Sequence, residues 1–443
     1  MNITSSMRGR AGLLPALGIA IAVLAAPAGD ARADVVTDWN WFATRAAAAA
    51  LPAERVTPAL QTAMTQIAVY DAVYAIDHSY KPLLAKIPHN TRGASKEAAV
   101  VVAAYKTLVA LIPSQKTTLD AQYATSLATI PEGTAKQRGI AIGTEVAARV
   151  LAARANDGRL VDVPYSYGSL PGGYQPTSPT PPPTPITPWL AKVKPFVLAA
   201  PSQFRPDGPS PLDSQAYAED LEEVALLGRK DSTTRTAAQS QLGKAHTMAP
   251  ALLWGNNLHA FVVAQNLTLE ENARLLAKLW VTLSDAGVAC WDAKFHFNAW
   301  RPMTAIRNAD LDGNEDTTAD TTWEPAEPTP PHPEYPSGHG CFTGAATEAL
   351  RRYFGTQRVP LTIVTTVPVN GVPTSFTYNY RYLDDFLNDV LDARVYGGMH
   401  FRSSNEDGAE LGRSVARYVD RNAFQRDRGR SPRDMNGWHS RRD

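Results

Sequence analysis

Apolar residues recur at three- and four-residue intervals along most of this sequence, and this helical period constrains the fold more than any other feature. The segment Thr57–Tyr80 shows the pattern most clearly, because one side carries a stripe made of Leu60, Met64, Ile67 and Tyr74, with Asp71 among them. A second stripe on the opposite side consists of Val69, Val73 and Ile76. A helix with two apolar sides needs neighbours on both, so we predict that this helix is buried on both faces.

Other long segments also have helical patterns. Ala94–Leu111 and Ala135–Ala155 are rich in Ala, Val and Leu and are also predicted to be helical. Thr268 is followed three residues later by Glu271, which forms a capping box at the start of an apolar pattern that reaches Lys294. These segments predict a mainly α protein built as a helical bundle.

Alternating patterns typical of strands are scarce. Leu361–Val369 and Thr374–Tyr378 are the two candidates, and Asn370-Gly371 between them is a favourable hairpin turn. We therefore expect at most one small β-hairpin near residues 361–378.

The N-terminus has the plan of a secretory signal peptide. Arg8 and Arg10 precede an apolar stretch over residues 11–28, and the small-x-small sequence Ala31-Arg32-Ala33 follows it. Residues 1–33 are therefore predicted to be a signal peptide, and the mature protein would be exported to the periplasm or secreted with no stable membrane span. A retained membrane anchor is the alternative that the sequence leaves open.

A proline-rich segment divides the rest of the chain. Residues 171–188 contain eight prolines, which exclude a helix and predict an extended connector. The connector separates an N-terminal helical region, residues 34–170, from a catalytic helical region, residues 189–420. We prefer one compact helical body crossed by this arm. Residues 421–443 contain seven arginines and three aspartates, a composition that predicts a disordered basic tail.

Charge and cysteine content restrict the possible partners. Lys plus Arg and Asp plus Glu each number 43, so there is no global field to attract nucleic acid or an anionic membrane, and small molecules are the expected substrates. Nothing in the sequence specifies an oligomeric state. The only two cysteines, Cys290 and Cys341, could pair in an oxidising compartment or remain buried thiols.

Three short stretches in the last third concentrate cationic and histidine residues. In the first, Lys294 and Arg301 are seven residues apart, which is two turns of helix, so both are predicted to project from one face, while Asp292 points elsewhere. Two neighbouring cations without an anionic partner repel each other unless an anion lies between them. A solvated basic face is the alternative for this stretch taken alone.

The second stretch, Pro336-Ser337-Gly338-His339, precedes a helical run to Phe354. A proline and a small polar pair before a helix predict its N-terminus, where free N–H groups and the helix dipole favour an anion. Ser337 adds a hydroxyl, Gly338 allows close approach of the backbone, and His339 can move protons near neutral pH. A plain helix cap is the alternative.

The third stretch runs from Arg394 to His400 and contains the pair Gly397-Gly398. The glycines should bend the chain so that the arginine and the histidine converge, after which a helix should restart near Ser403 or Ser404 with Glu406 or Asp407 completing the cap. A turn with an incidental histidine is the alternative.

Taken together, the three stretches predict one oxyanion site. Three fixed positive charges, a helix N-terminus and two imidazoles suit a trivalent tetrahedral oxyanion, phosphate or vanadate, with one histidine bonded to the central atom and the other exchanging protons. A divalent metal centre is disfavoured, because no carboxylate or Cys/His cluster has ligand spacing.

The order Lys-x6-Arg-Pro, Pro-Ser-Gly-His and Arg-x5-His resembles the vanadium-dependent haloperoxidases and the type 2 phosphatidic acid phosphatases, which share one helical fold and one anion pocket. Residues 284–307 and 330–352 look like the bacterial soluble chloroperoxidase-like branch, and weaker similarity extends back through residues 71–73 and 151–158.

The resemblance implies a role for each motif residue. Five residues would bind the non-bridging oxygens of vanadate or phosphate: Lys294, Arg301, Ser337, Gly338 and Arg394. His400 would be the apical ligand of vanadium or the nucleophile toward phosphorus, and His339 would be the acid–base. Many relatives carry an aspartate four residues after the third-motif histidine, where this chain has Ser404. Asp407 is a substitute only if the local turn brings it back.

Two further positions would tune the halide pocket. Trp291 falls where the fungal chloroperoxidase type has a tryptophan, and His332 falls where the bromoperoxidase type has a second histidine. Because the two patterns are mixed, no halide is assigned. Core packing for Trp291 and a surface loop position for His332 are the alternatives.

The leading functional hypothesis is a vanadate-dependent haloperoxidase-like enzyme that oxidises halide with hydrogen peroxide. The first alternative is an exported acid phosphatase that hydrolyses phosphate monoesters in the same pocket through a phosphohistidine, without vanadate. The second is a non-catalytic oxyanion-binding protein.

Overall fold

The computed structural model describes residues 33–51, 55–168, 171–177 and 185–427. In this part of the chain the main elements are thirteen α-helices and two β-strands, which confirms the mainly α prediction. The predicted signal peptide, apart from Ala33, and the part of the predicted tail beyond residue 427 lie outside the described residues. Among the described residues, no helix combines the length and the hydropathy needed to cross a membrane.

The first eight helices precede all three motif stretches. They are α1 (Val35–Ala49), α2 (Pro58–Asp77), α3 (Lys96–Leu111), α4 (Lys116–Ala128), α5 (Thr134–Ala153), α6 (Gln215–Leu227), α7 (Ala237–Ala245) and α8 (Pro250–Ala264). The remaining elements carry or surround the motifs: α9 (Leu269–Phe297), α10 (Pro302–Arg307), α11 (Gly338–Phe354), β1 (Leu361–Val369), β2 (Val372–Tyr380), α12 (Leu383–Tyr396) and α13 (Arg402–Asn422).

The core forms around α2 and α9, two long helices that contact each other. Every residue of α2 from Pro58 to Tyr74 is buried, which confirms the prediction from its two apolar stripes. Asp71 on this helix is also fully buried, and its carboxylate accepts backbone N–H groups from Leu83, Leu84 and Ala85 at 2.7–2.9 Å. These three hydrogen bonds replace lost water and attach the following loop to the core.

Helix α9 also has a buried carboxylate that binds a loop, and specific residues define both of its ends. The predicted capping box at Thr268 and Glu271 starts the helix. In its middle, the buried Asp285 carboxylate accepts backbone N–H groups from Phe196, Val197 and Leu198. Asn298, with φ of 50° and ψ of 40°, ends the helix in the left-handed conformation.

Helices α11 and α13 lie against each other through glycines. A Cβ atom added at Gly344 or Gly412 would overlap the backbone of the facing helix, so only glycine permits this approach. Cys290 of α9 and Cys341 of α11 form a disulfide, which settles the alternatives left by the sequence. The N-terminus of α11 is thereby fixed against both α9 and α13.

The described ends of the proline-rich segment lie along the motif stretches. Tyr174 donates its backbone N–H to the Asn298 carbonyl, and Trp300 donates to the Gly172 carbonyl. At the other end, Ile186 donates to the carbonyl of Pro331. The segment therefore contacts both the turn after α9 and the loop before α11.

The two strands pair as the predicted hairpin. β1 and β2 are antiparallel, with Leu361 opposite Tyr380, and the turn residues Asn370 and Gly371 have φ values of 50° and 79°. The second strand begins two residues earlier and ends two residues later than predicted, because it pairs with β1 over its whole length, from Val372 opposite Val369 to Tyr380 opposite Leu361.

The folded part of the chain extends past the end of α13. Ala423 and Phe424 are buried, and Phe424 packs edge-on against Tyr70 of α2. These residues belong to the range predicted as a tail, of which residues 428–443 are not described.

Candidate active site

Three cationic side chains of the predicted pocket are completely buried. Lys294 lies in the last turn of α9, Arg301 immediately precedes α10, and Arg394 lies in the last turn of α12, each with 0% exposure. Burial lowers the pKa of Lys294 well below its usual value, that of Arg301 to about 10 and that of Arg394 to about 9. Charge repulsion from Arg301 lowers the pKa at the other two residues further. Such buried cations are costly unless an anion compensates them.

The hydrogen-bond acceptors that the protein offers to these cations are mainly backbone carbonyls. Lys294 donates from Nζ to the carbonyls of Pro333 and Glu334 at 3.0 and 2.8 Å. Arg301 donates from Nε to the His332 carbonyl at 2.9 Å and from one terminal nitrogen to the Met399 carbonyl at 2.8 Å.

Arg394 is less completely satisfied than the other two cations. It donates to the His246 carbonyl at 2.8 Å and contacts the Met399 sulfur, while its buried Nε has no hydrogen-bond partner among the described residues. A buried N–H group without an acceptor is uncommon, so Arg394 keeps a donor that a ligand atom could accept from.

The prediction that Lys294 and Arg301 project from one face of a single helix is wrong. Helix α9 ends at Phe297, and the left-handed Asn298 turns the chain before Arg301. The two cations converge because the turn returns the chain, and the hydrogen bond from Trp300 to Gly172 fixes that return. Asp292 points elsewhere as predicted and pairs with Arg205 at 2.8 Å.

Helix α11 begins at Gly338, and Ser337 is its N-cap, as the second stretch predicted. The Ser337 hydroxyl oxygen accepts the backbone N–H of Gly340 at 3.3 Å. A Cβ atom added at Gly338 would lie 3.5 Å from the Trp291 ring and 3.9 Å from Cε of Lys294, so the start of α11 faces Lys294 directly. The positive end of the helix dipole therefore adds to the buried cations.

The hydrogen bonds of His400 define its tautomer. Nε2 lies 3.1 Å from a terminal nitrogen of Arg301, and Nδ1 lies 2.7 Å from Oε1 of Glu334. Arginine can only donate, so Nε2 accepts and the ring proton resides on Nδ1. Burial, and then the charges of Arg301 and Lys294, lower the pKa of His400 well below its usual value, which keeps the ring neutral.

His339 is held in the opposite tautomer. Its Nε2 lies 3.0 Å from the Met248 carbonyl, which can only accept, so Nε2 carries the proton and Nδ1 retains a lone pair. Burial, followed by the charge of Arg394, lowers the pKa of His339 well below its usual value.

Trp291 and His332 form a pair beside Lys294 and Arg301. Their ring centroids are 5.3 Å apart, and a terminal nitrogen of Arg301 lies 3.0 Å from Nδ1 of His332. His332 is only 8% exposed, so the surface-loop alternative is wrong. Trp291 donates from Nε1 to the Thr187 hydroxyl at 2.9 Å, which connects the proline-rich segment to the pocket wall.

Sequence reasoning missed Glu334 and His246. Glu334 is a buried carboxylate next to His400, 66 residues away in the chain, and no local pattern signals that contact. His246, in the loop between α7 and α8, binds Arg394 through its carbonyl; its buried ring contacts Tyr378 and Phe386, and neither ring nitrogen has a hydrogen-bond partner among the described residues.

The start of α13 differs from the predicted cap. The helix begins at Arg402 after Phe401, and no side chain caps it. Ser404 is fully buried, and Asp407 accepts a hydrogen bond from the Tyr335 hydroxyl at 2.6 Å, so the turn does not bring Asp407 to His400.

Comparisons with known proteins agree with the resemblance drawn from the motifs. Residues 274–427 match the family described as the VCPO second helical-bundle domain. An aligned stretch of 88 residues is 39% identical to vanadium chloroperoxidase of Curvularia inaequalis, and it covers 18% of this chain and 14% of that protein.

Two solved bacterial proteins share the fold over most of their length. A vanadium-dependent iodoperoxidase superposes with a TM-score of 0.74 at 24% identity, over 90% of this chain and 99% of the other. The holo form of a vanadium-dependent chloroperoxidase superposes with a TM-score of 0.66 at 19% identity, over 88% of this chain and 94% of the other.

Proposed function

We propose that this chain, whose residues 274–427 match the VCPO second helical-bundle domain, is a vanadate-dependent haloperoxidase that oxidises halide with hydrogen peroxide. The observation that carries the proposal is the convergence of three fully buried cations on the neutral His400 and the N-terminus of α11. Such a site is electrostatically incomplete without an anion.

The residues fit vanadate. The single carboxylate of Glu334 offsets part of the charge of Lys294 and Arg301, and Glu327 acts on Arg394. The unpartnered Nε of Arg394 can donate to an oxygen of the ligand. The helix start at Ser337 and Gly338 would bind further oxygens. The lone pair on Nε2 of His400 would leave the Arg301 hydrogen bond and bond to vanadium. Bound vanadate would supply a Lewis-acidic centre that activates hydrogen peroxide toward halide.

His339 would move the proton that the reaction requires. Hydrogen peroxide, halide and one proton give hypohalous acid and water, so a proton donor must act at the site. The lone pair on Nδ1 of His339 can take a proton from peroxide as it binds and return it to the departing oxygen. Met248 fixes the ring orientation for this exchange.

Trp291 and His332 would shape the approach of the halide. The indole ring and the imidazole offer an apolar and a polar wall beside the cations. Because His332 also contacts Arg301, its replacement would change both the halide preference and the position of a vanadate-binding residue.

An acid phosphatase is the second candidate, and the lone pair on Nε2 of His400 favours it. The same nitrogen could attack phosphorus to form a phosphohistidine, with the three cations stabilising the transferred phosphoryl group. The substrate would then be a phosphate monoester and no vanadate would be required.

Reconstitution with orthovanadate followed by parallel assays tests the proposal. The loaded protein should brominate or iodinate a phenol indicator dye when peroxide is present, and His400→Ala should lose that activity. The exposed His296, two residues after Lys294, provides His296→Ala as the matched control that retains it. Hydrolysis of p-nitrophenyl phosphate that vanadate inhibits, without halide oxidation, would replace the proposal by the phosphatase. Tight vanadate binding with neither activity would identify an oxyanion-binding protein.

A further inference from the structure

We propose that Glu334 is the positioning residue of His400, and that its carboxylate holds the imidazole so that the lone pair of Nε2 faces the buried cations. The assignment deepens the proposed function and rests on it insofar as the bound ion is vanadate. Glu334 lies five residues before His339, in the loop that precedes α11.

The first argument is the short contact between two buried groups. Oε1 of Glu334 lies 2.7 Å from Nδ1 of His400, and each side chain is 1% exposed. Since Arg301 requires Nε2 to accept, Nδ1 carries the ring proton and donates it to the carboxylate. Without the carboxylate, the ring could rotate or exchange its tautomer, and the lone pair of Nε2 would no longer be directed at the ligand.

The second argument is that the same oxygen also fixes the backbone after His400. Oε1 accepts the backbone N–H of Phe401 at 3.2 Å, so ring and main chain are held at one point. One carboxylate oxygen therefore accepts two N–H groups, one from the ring of His400 and one from the backbone of Phe401.

The third argument is the position of Glu334 among the motif stretches. Its backbone N–H binds the Ala299 carbonyl at 2.9 Å, and its own carbonyl accepts from Nζ of Lys294 at 2.8 Å. With its side chain on His400, this single residue contacts the first and third stretches and lies beside the second. A shift of Glu334 would move the ligand nitrogen and a cation together.

The alternative role for Glu334 is charge compensation alone. A variant of Glu327 can distinguish positioning of His400 from charge compensation. Glu327 is another buried carboxylate, 7% exposed, that pairs with Lys244 and raises the pKa of Arg394 through its charge. The side-chain contacts described for Glu327 do not include His400. Glu327→Gln therefore removes a nearby negative charge without removing the proposed positioning contact.

The test uses protein labelled with 15N at histidine, with the His400 resonances assigned by comparison with His400→Ala. In the anion-free wild type and in Glu327→Gln, His400 should give the spectrum of the Nδ1–H tautomer. Glu334→Ala should show mixed tautomers and bind vanadate at least tenfold more weakly, about the effect expected when the partner of a ligating histidine is lost. Glu334→Gln, which keeps an acceptor oxygen, should retain the tautomer and lose less affinity than Glu334→Ala.

The proposal is overturned if Glu334→Ala keeps the Nδ1–H tautomer with vanadate affinity within twofold of the wild type. It is also overturned if Glu327→Gln changes the His400 tautomer as much as the Glu334 variants do. Should Glu334→Ala fail to fold, Glu334→Leu carries the test, because leucine also removes the acceptor oxygens. An unchanged Nδ1–H tautomer in that variant, with vanadate affinity within twofold of the wild type, overturns the assignment. If the loaded wild type lacks halide oxidation while the tautomer shifts as expected, Glu334 keeps its role and the haloperoxidase proposal fails.

Discussion

Replacing Arg394 by methionine should weaken anion binding and, without the anion, increase the free energy of unfolding. Methionine has a similar length and no charge, and the arginine it replaces is fully buried with an unpartnered Nε. We expect Arg394→Met to bind vanadate or phosphate more weakly and, in anion-free buffer, to be more stable than the wild type.

The expected loss of affinity follows from one charge-assisted contact. Two unit charges about 4 Å apart interact by roughly 4 kcal/mol at an effective dielectric constant of about 20. A hydrogen bond to a charged group is worth about 1.5–3 kcal/mol, which we take as a lower guide. A net loss of about 2–4 kcal/mol corresponds to roughly a 30- to 700-fold rise in Kd.

The expected gain in stability follows from the cost of the buried charge. The pKa of Arg394 falls from 12.5 to about 9 on folding. At neutral pH the guanidinium is therefore charged at a higher free energy in the native state than in the unfolded chain. At about 1.4 kcal/mol per pKa unit this cost is on the order of 5 kcal/mol. Loss of the bond to the His246 carbonyl offsets about 1–3 kcal/mol of it, which leaves a gain of roughly 2–4 kcal/mol.

Calorimetric titration with vanadate and urea unfolding in anion-free buffer measure the two quantities. Arg307→Met is the matched control, because Arg307 binds the Trp323 carbonyl outside the site, and it should leave the Kd unchanged. If Arg394→Met binds vanadate as tightly as the wild type, or if it is less stable without the anion, the buried cations do not await an anion and the reasoning is refuted.

Three further outcomes are expected. Burial lowers the pKa of His246 from 6.5 to about 4, so acid should destabilise the wild type more than His246→Phe. Between pH 7.5 and 4 the free energy of unfolding, measured with urea, should fall by about 3 kcal/mol less in His246→Phe than in the wild type. Stability from the neutral ring is complete above pH 6.5 and is lost as the pH falls toward 4. Replacing Cys290 and Cys341 by alanine should cost about 2–4 kcal/mol, since the bridge closes a loop of 51 residues. Gly412→Ala should lose more than about 2 kcal/mol and weaken phosphate binding, whereas Gly168→Ala should change stability by less than about 0.5 kcal/mol.

Each of these outcomes has a contrary result. Equal acid sensitivity of His246→Phe and the wild type would contradict a neutral buried ring. Dithiothreitol should lower the melting temperature of the wild type and leave the double cysteine variant unchanged, so an equal response of both would contradict a stabilising bridge. Tolerance of alanine at Gly412 would mean that α11 and α13 can separate without cost.

Much of the fold was predictable from local sequence. The two apolar stripes of α2, the capping box of α9 and the hairpin turn at Asn370-Gly371 depend on residues within one or two turns of each other. Their physical causes, which are burial of periodic apolar side chains and satisfaction of helix-end N–H groups, act over the same short range.

The convergence of the motif cations was predictable for a different reason. Buried cations have few stable arrangements, and three stretches rich in Lys, Arg and His, followed by helix starts, leave an oxyanion as the simplest common partner. The structure places Lys294, Arg301, Arg394 and His400 together around the start of α11, although the single helical face proposed for the first two was wrong. The left-handed conformation of Asn298, which ends α9, is one that asparagine adopts only in some contexts.

The sequence by itself determined the helices with a clear local period, such as α2 and α9, and which residue types meet in the cluster of buried cations. The tertiary structure decided how that site is oriented, through the contact of Glu334 with His400, the disulfide between Cys290 and Cys341, and the burial of His332. Each of these depends on the packing of segments that are distant along the chain. Periodicity and capping record interactions within a few residues, whereas the partner of a buried polar group is set by whichever distant segment the packed core brings to it.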